Sequence, residues 1–398
     1  MCKTDNPVHE QDAIASPLLL NSTGGSTREL AFRDAIREIA DEVLRPAAEE
    51  SDQADGPNLA NFKALAEAGL FGMSMPEEYG GLNISGAMQR EVTEILASAC
   101  GVTTFVQGQH HGSSRMIANG PNPLLKQHLL PDLVAGRTLC AISFAYLRRP
   151  GPPVLRAEAT EGGYLLEGTA PWVTGWGLMR QVVIGAGMPD GRFGYFWVPG
   201  DRNEFPEVFE GCHIPDNPGL LTASKPLPLC AMNASATVEL TCSQLFVPSE
   251  HLLSYSDRET MACNDKNGIL GGTALPIGCA AGSVRLLCEI AERRKIAAVS
   301  HAADKMKDEL SRLRSEVHNW QGHGENEERF RRAVELRAWA IQFAVRAAHA
   351  CVTASSGAAN SLTHPAQRLY REAMFYTIQA QTQEVMAGTL ELITTPPY

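Results

Sequence analysis

Apolar positions recur with helical spacing at both ends of the chain and give way to short β-type runs between them. After NSTGGST, which carries helix-start signals, RELAFRDAIREIADEVLRPAAEE places Leu30, Ile36, Ile39, Ala40 and Val43 on one face, and Pro46 is expected to end regular helix. NLANFKALAEAGL reads as a second helix stopped at Gly69, followed by the Pro/Gly-rich turn segment GLFGMSMPEEYGGLNIS. Residues 85 to 119 read as helical with breaks at Gly101 and Gly108, and PNPLLKQHLLPDLVAG adds a short helix limited by Pro131. From Leu139 the pattern changes. CAISF, GYLLEGTAPWVT, QVVIGAGM, FGYFWVP, PLPL and ATVELTCSQLFVP are strand-like and separated by Gly and Pro, which predicts a sandwich or barrel and not a parallel α/β sheet. Helices are expected again from Gly268, first through GTALPIGCAAGSVRLLCEIAERRK and onward. Beyond the loop WQGHGENEE come two more, the last of them one helix over HPAQRLYREAMFYTIQAQTQEVMAGTLELI. Ala280, Ala281, Gly282, Ala347, Ala348 and Ala350 would let these helices pack closely as an antiparallel bundle.

The boundaries that follow are a flexible stretch at 1–24, a helical domain at 25–136, a β domain at 137–255 and a helical bundle at 256–398. At 398 residues two or three domains are expected, because single cores stop growing at roughly 250 to 300 residues. A formal charge of -11 argues against a general nucleic-acid binder, whose affinity for phosphates depends on Lys and Arg. The ten cysteines are scattered without a CxxC and the N-terminus is polar and mixed, so reduced thiols in a cytoplasmic protein are expected. WAIQFAVRAAHACV carries Arg346 and His349 and reads as a packed helix, so no membrane insertion is expected.

Four stretches carry a resemblance: ALAEAGLFGMSMPEEYGG, GYLLEGTAPWVTG, QLFVPSEHLL and RLYREAMFYTIQAQTQ. Over essentially its full folded length the chain resembles the acyl-CoA dehydrogenase superfamily of flavoproteins. The resemblance implies an α+β fold with an N-terminal helical domain, a middle β domain and a C-terminal four-helix bundle. It also implies FAD rather than FMN, held between the β domain and the bundle, with a neighbouring subunit of a homodimer or homotetramer completing the site. Trp172 and Thr174 match the Trp that lies against the flavin ring and the Thr that hydrogen-bonds near its N5. An indole face and a hydroxyl donor suit those roles independently, although a Trp in a β layer also serves as core filling. Ser143 falls where a hydroxyl contacts the ring's pyrimidine side; the acidic residue usual beside it is replaced by Phe144. Arg148 and Arg149 suit a pyrophosphate or an anionic substrate, or they are surface charge before PGPP. Arg293 or Arg294 would take the role of the family's FAD-phosphate arginine. Arg371, with Arg368 on one helix face, suits a carboxylate or an interdomain contact.

The family's usual base is the glutamate of a Tyr-Glu-Gly-Thr segment, and Gln379, Ala380 and Gln381 stand there instead of Tyr, Glu and Gly. The base position is thus Ala380, and the alternative location on the helix opening the bundle matches Gly268. Three readings follow. An acyl-thioester dehydrogenase could use another base: Glu384, one turn from Ala380 on the same expected helix, Glu91, or a histidine. A flavin monooxygenase of the same fold needs no such glutamate but a proton donor, for which His110 or His111 would serve. A non-catalytic acyl-binding protein is the third. The expected substrate is a small-molecule acyl thioester on CoA or an acyl carrier protein. There is no GxGxxG, so electrons are expected to leave through a partner flavoprotein or oxygen rather than nicotinamide. His318 and His323 lack the spacing of a metal centre, and no metal is expected.

Overall fold

Helix caps set the N-terminal layer. In the computed structural model, which describes residues 26–200, 219–320 and 326–395, Ser26 and Glu29 form a reciprocal capping box that opens α1 (Thr27–Ile39). The expected flexible stretch at 1–24 and His323 lie outside the described residues. A π turn over Ala40–Leu44 ends the helix ahead of Pro46, and a short α2 (Ala48–Gln53) follows. Asn58 caps α3 (Leu59–Glu67), and Gly69 takes φ +76 as the chain turns away. The break at Gly101 separates α4 (Gly86–Ala99) from α5 (Gly101–Asn119), with Cys100 extended between them. A Cβ on Gly101 would stand 2.5 Å from the Glu372 carboxyl carbon, so only glycine admits that approach. Two expected interruptions are corrected. Helix α5 runs through Gly108, and α6 (Pro123–Val134) runs through Pro131, where burial of Leu129, Leu130 and Leu133 outweighs the lost backbone hydrogen bond.

Among the described residues the middle layer is one mixed sheet of eight strands. These are β1 (Cys140–Ser143), β2 (Leu155–Thr160), β3 (Gly163–Val173), β4 (Gln181–Gly187), β5 (Phe193–Pro199), β6 (Leu220–Ala223), β7 (Val238–Pro248) and β8 (Leu252–Ser256). Their order is β6-β7-β3-β2-β4-β5-β8, with β1 lying parallel beside β4. PLPL is not a strand, since its prolines cannot donate to a ladder. The longest strands, β3 and β7, pair antiparallel with register shifts between Leu166 and Gly168 and between Ala170 and Val173. The second shift sits beside Trp172.

Helices resume ten residues before Gly268, with α7 (Arg258–Gly268) capped by Asp257. Then come α8 (Ala274–Arg294), α9 (Ala297–Asn319), α10 (Asn326–Ser355), α11 (Pro365–Tyr376) and α12 (Gln383–Thr394). Small residues bring α8 against α4: a Cβ on Gly278 would meet Ala97 Cβ at 2.6 Å, and one on Gly282 would meet the Ser98 carbonyl at 2.6 Å. The N-terminal helices and the bundle therefore share one interface. The stretch Arg258–Arg294 is long and apolar enough to cross a membrane by length and composition, and 72% of its apolar window is buried against the rest of the protein. The expected single last helix is corrected to two, α11 and α12, parted by a turn in which Ala380 has φ +48.

Candidate functional site

Trp172 stands at the end of β3 with φ +64, a conformation that is an outlier for a bulky side chain. The flanking Val173 and Thr174 are buried while half of Trp172 is exposed, so the indole is not core filling. Contacts behind the corner hold it in place. The Ser143 hydroxyl donates to the Pro171 carbonyl at 3.1 Å, the Gly175 N–H donates to the Ser235 carbonyl at 2.8 Å, and the Trp176 N–H donates to the Ala236 carbonyl at 3.2 Å. Thr174 Oγ1 lies 3.1 Å from Thr237 Oγ1, which lies 2.7 Å from Ser235 Oγ. Strain of this kind persists only where the surroundings over-determine it, and here it serves to turn a flat aromatic face outward beside a hydroxyl. An exposed indole and an adjacent hydroxyl fit one edge of a planar heteroaromatic ring such as a flavin. Ser143, engaged with the backbone, braces the corner.

The arginines proposed from sequence are mostly engaged elsewhere. Arg148 makes a bidentate pair with Asp265 of α7, both contacts at 2.7 Å, and its guanidinium lies 5.4 Å from the centre of the Phe144 ring. That pair ties the loop after β1 to the bundle. Arg371 pairs with Asp52 and donates to the Cys230 carbonyl at 3.1 Å, so it joins α11 to α2 and to the loop before β7. Arg368 is buried between Glu49 at 3.0 Å and Glu372 at 2.7 Å. Arg294 donates to the Ala354 carbonyl at the end of α10, leaving Arg293 and Arg149 as exposed side chains.

The histidines are interior groups. His110 is fully buried, its Nδ1 accepts the Cys140 N–H at 3.3 Å, and its ring meets the edge of Phe71 at 5.1 Å between centres. With Nδ1 accepting, the proton of the neutral ring sits on Nε2 and is donated to Ser114 Oγ at 3.1 Å. Burial pulls the His110 pKa down to about 4, and burial with the neighbouring His110 and Arg115 holds His111 well below the ordinary histidine value. His111 Nε2 lies 2.8 Å from Gln107 Oε1. Both rings are buried and packed in the N-terminal layer, where burial favours the neutral imidazole. Glu91 is likewise buried, with Arg33 at 3.6 Å and Arg37 at 3.9 Å.

The turn between α11 and α12 holds a cation where a carboxylate was sought. Arg337 of α10, 3% exposed, donates from Nη1 to the Ile269 carbonyl at 3.3 Å and from Nη2 to the Gln379 and Ala380 carbonyls at 2.9 and 3.4 Å. Its Nε has no hydrogen-bond partner and its guanidinium pairs with no carboxylate among the described residues. Burial draws its pKa down to about 10, which leaves it charged at neutral pH. Gly272 makes room for it, since a Cβ there would lie 1.3 Å from Nη1. The guanidinium thus bridges both segments that would carry a base in the resembled family. Glu384 is corrected as well: Ala380 is not helical, so the two share no helix face, and Glu384 is an exposed residue in the first turn of α12. Sequence reading missed Arg337, Ser235 and Thr237. Only Arg337 left a signal, as an arginine set between the apolar Leu336 and Ala338.

The acyl-CoA dehydrogenase N-terminal domain family matches residues 26–137. The chain is 27% identical over 252 residues to a mitochondrial 2-methylacyl-CoA dehydrogenase of Solanum tuberosum, covering 62% of this chain and 57% of that relative. It is 23% identical over 373 residues to a probable acyl-CoA dehydrogenase, YngJ, of Bacillus subtilis, covering 89% and 94%. The structure of butyryl-CoA dehydrogenase from Megasphaera elsdenii superposes with a TM-score of 0.76 at 18% identity, covering 94% of this chain and all of that one.

Proposed function

We propose that the chain, whose fold is that of acyl-CoA dehydrogenases, is a divergent member of that superfamily and an FAD-dependent oxidoreductase of acyl thioesters that lacks the usual carboxylate base. FAD, when bound, supplies the electron-accepting ring. Trp172 would cover one face of that ring and exclude water from it, and Thr174 would stand near its edge. The observation that carries this reading is the outward Trp172 indole, held at φ +64 two residues before the buried Thr174 hydroxyl. A flat side chain kept in a strained conformation and half exposed has its best use in covering a flat ligand. The substrate is an acyl group on CoA or an acyl carrier protein. Electrons pass to a partner flavoprotein or to oxygen, and a homodimer or homotetramer completes the cofactor site.

A second reading, a flavin monooxygenase, is favoured by one observation: the turn at Ala380 presents no proton acceptor and is backed by the Arg337 cation. Anaerobic addition of saturated acyl thioesters to the purified holoprotein separates the two. Bleaching of the flavin absorbance supports the dehydrogenase. No bleaching, followed by oxygen uptake with substrate hydroxylation once the flavin is chemically reduced, supports the monooxygenase. A protein that retains no FAD through purification or reconstitution sinks both and leaves a binding protein.

A further inference from the structure

Five charged side chains meet where α11 crosses the N-terminal helices, and their charges do not cancel. Arg368 donates to Glu49 Oε1 of α2 at 3.0 Å and to Glu372 Oε1 at 2.7 Å, while Arg371 donates to Asp52 Oδ1 of α2 at 3.1 Å. Three carboxylates therefore share two guanidiniums, a surplus of one negative charge if all five groups are ionised. Asp52 has Arg371 as its partner, and Glu49 is half-buried and keeps contact with solvent. Glu372 is 2% exposed and shares its guanidinium, so the surplus falls on it. Its Oε2 has no hydrogen-bond partner among the described residues, and neither has the hydroxyl of Tyr376, one turn further along α11.

The other groups around Glu372 do not remove the surplus. Burial, and after it the Glu372 carboxyl itself, pushes up the thiols of Cys100 and Cys279 and the Tyr376 hydroxyl, which keeps all three neutral. Arg45, which donates to the Ser98 carbonyl at the end of α4 at 3.2 Å, is held by Asp41. The Gly101 N–H at the start of α5 faces the Glu372 carboxyl and, with Arg368, favours the ionised form. Burial outweighs them, the Asp52 carboxylate adds to it, and the Glu372 pKa is raised above its ordinary value. We propose that Glu372 is a proton switch in the interface between the N-terminal helices and the bundle: protonated, it closes α11 onto α2 and α5, and ionised, it loosens them. The switch stands with or without FAD. Its effect reaches both sides of the candidate site, because α11 leads into the Ala380 turn and Arg371 donates to the Cys230 carbonyl in the loop before β7.

A carboxyl with a raised folded pKa holds its proton more tightly in the closed interface than in the opened one. Closure is therefore complete below the ordinary value of 4.5 and is lost as pH rises through the raised one. Amide exchange of the full chain over residues 100–105 and 366–376, from about pH 5 to about pH 8 and corrected for the intrinsic chemical rate, reads the opening. In wild type the opening should rise by about tenfold, the equivalent of one unit of pKa difference, and then level off. Glu372→Gln imitates the protonated carboxyl and should stay at the wild-type pH 5 level throughout, while residues 385–394 of α12 respond to pH alike in both proteins. A rise that persists in Glu372→Gln overturns the proposal, as does a wild-type interface equally protected across the range. Glu49→Gln decides the matter if Glu372→Gln does not fold. It changes a half-buried side chain and leaves Arg368 to Glu372 alone, which removes the surplus charge, so the rise should shrink. An undiminished rise in Glu49→Gln overturns the switch.

Discussion

Trp172 and Ala380 are both non-glycine residues with positive φ, at 64 and 48, and both are exposed. What lies behind them differs. The Trp172 corner is backed by neutral hydroxyls, while the Ala380 turn is backed by a guanidinium whose hydrogen bonds go to backbone carbonyls. The first arrangement leaves a flat aromatic face at the surface for a ligand. The second uses its capacity to hold the turn and leaves only a methyl group outside. Strained exposed backbone therefore has two uses in one molecule, presenting chemistry at one place and withholding it at the other.

Neither region contains a side chain that titrates near neutrality, and the buried histidines are the place to break that statement. The folded His110 pKa of about 4 lies below the ordinary 6.5, so between those values the unfolded chain binds a proton that the native one does not. Stability is therefore fully present above about pH 6.5 and is lost as pH falls toward 4, by on the order of 3 kcal/mol from this ring. Urea unfolding at pH 7 and pH 4.5 should show a smaller difference in His110→Gln than in wild type. An unchanged difference would show that this ring does not cause the loss, and a catalytic pH profile that loses a neutral-range ionisation in this variant would place His110 in the chemistry after all.

The Arg337 latch is the next test. Arg337→Met removes donors from the Ile269, Gln379 and Ala380 carbonyls but also relieves a buried charge with no carboxylate partner. These effects oppose each other, so global stability should change little. Local opening should change much more. Amide exchange across residues 378–382 is expected to rise by about 10²-fold with the global unfolding midpoint nearly fixed. Equal changes in both would mean that Arg337 supports the whole bundle and not the turn.

These two regions also separate what was legible from what was not. The order of helical, β and helical layers follows from apolar spacing, and the break at Gly101 was visible because a glycine stood in an otherwise periodic run. LRAEAT escaped notice as a strand: its alternation is correct, but Ala and Glu carry little β propensity. The Ala380 turn was unreadable because IQAQT favours helix locally, and the residue that holds its carbonyls lies 42 and 43 positions earlier in sequence. Arg148 looked free for the same reason, with its carboxylate partner 117 positions away. In the site itself the resemblance pointed to Trp172 and Thr174, whereas the contacts of Thr174 with Thr237 and of Thr237 with Ser235 join residues 63 and 2 positions apart that no spacing encodes.

Ala380→Glu sharpens the contrast by giving the turn what it lacks. The new carboxylate would stand near Arg337, which keeps it ionised and able to accept a proton. The expected gain is about tenfold in the anaerobic bleaching rate with saturated acyl thioesters. That is less than the roughly 10² to 10⁴ of a well-placed base, because the turn was not shaped around one. A folded, FAD-loaded variant with no gain would remove Ala380 from consideration as the base position.

The smallest effect is expected at the corner, and it has two signs. Glycine adopts positive φ freely, so Trp172→Gly should relieve strain and raise the stability of the flavin-free protein by about 1 kcal/mol. The indole is half exposed, so little core packing is lost with it. The same change removes the aromatic cover, and FAD affinity should fall by about tenfold, as for the loss of one stacking partner. Thermal unfolding with and without FAD reads both: the flavin-free midpoint rises by a few degrees or less, and the increment on adding FAD shrinks. A lower flavin-free midpoint would show that Trp172 stabilises the fold, and the strained corner would then need a structural explanation in place of a ligand-binding one.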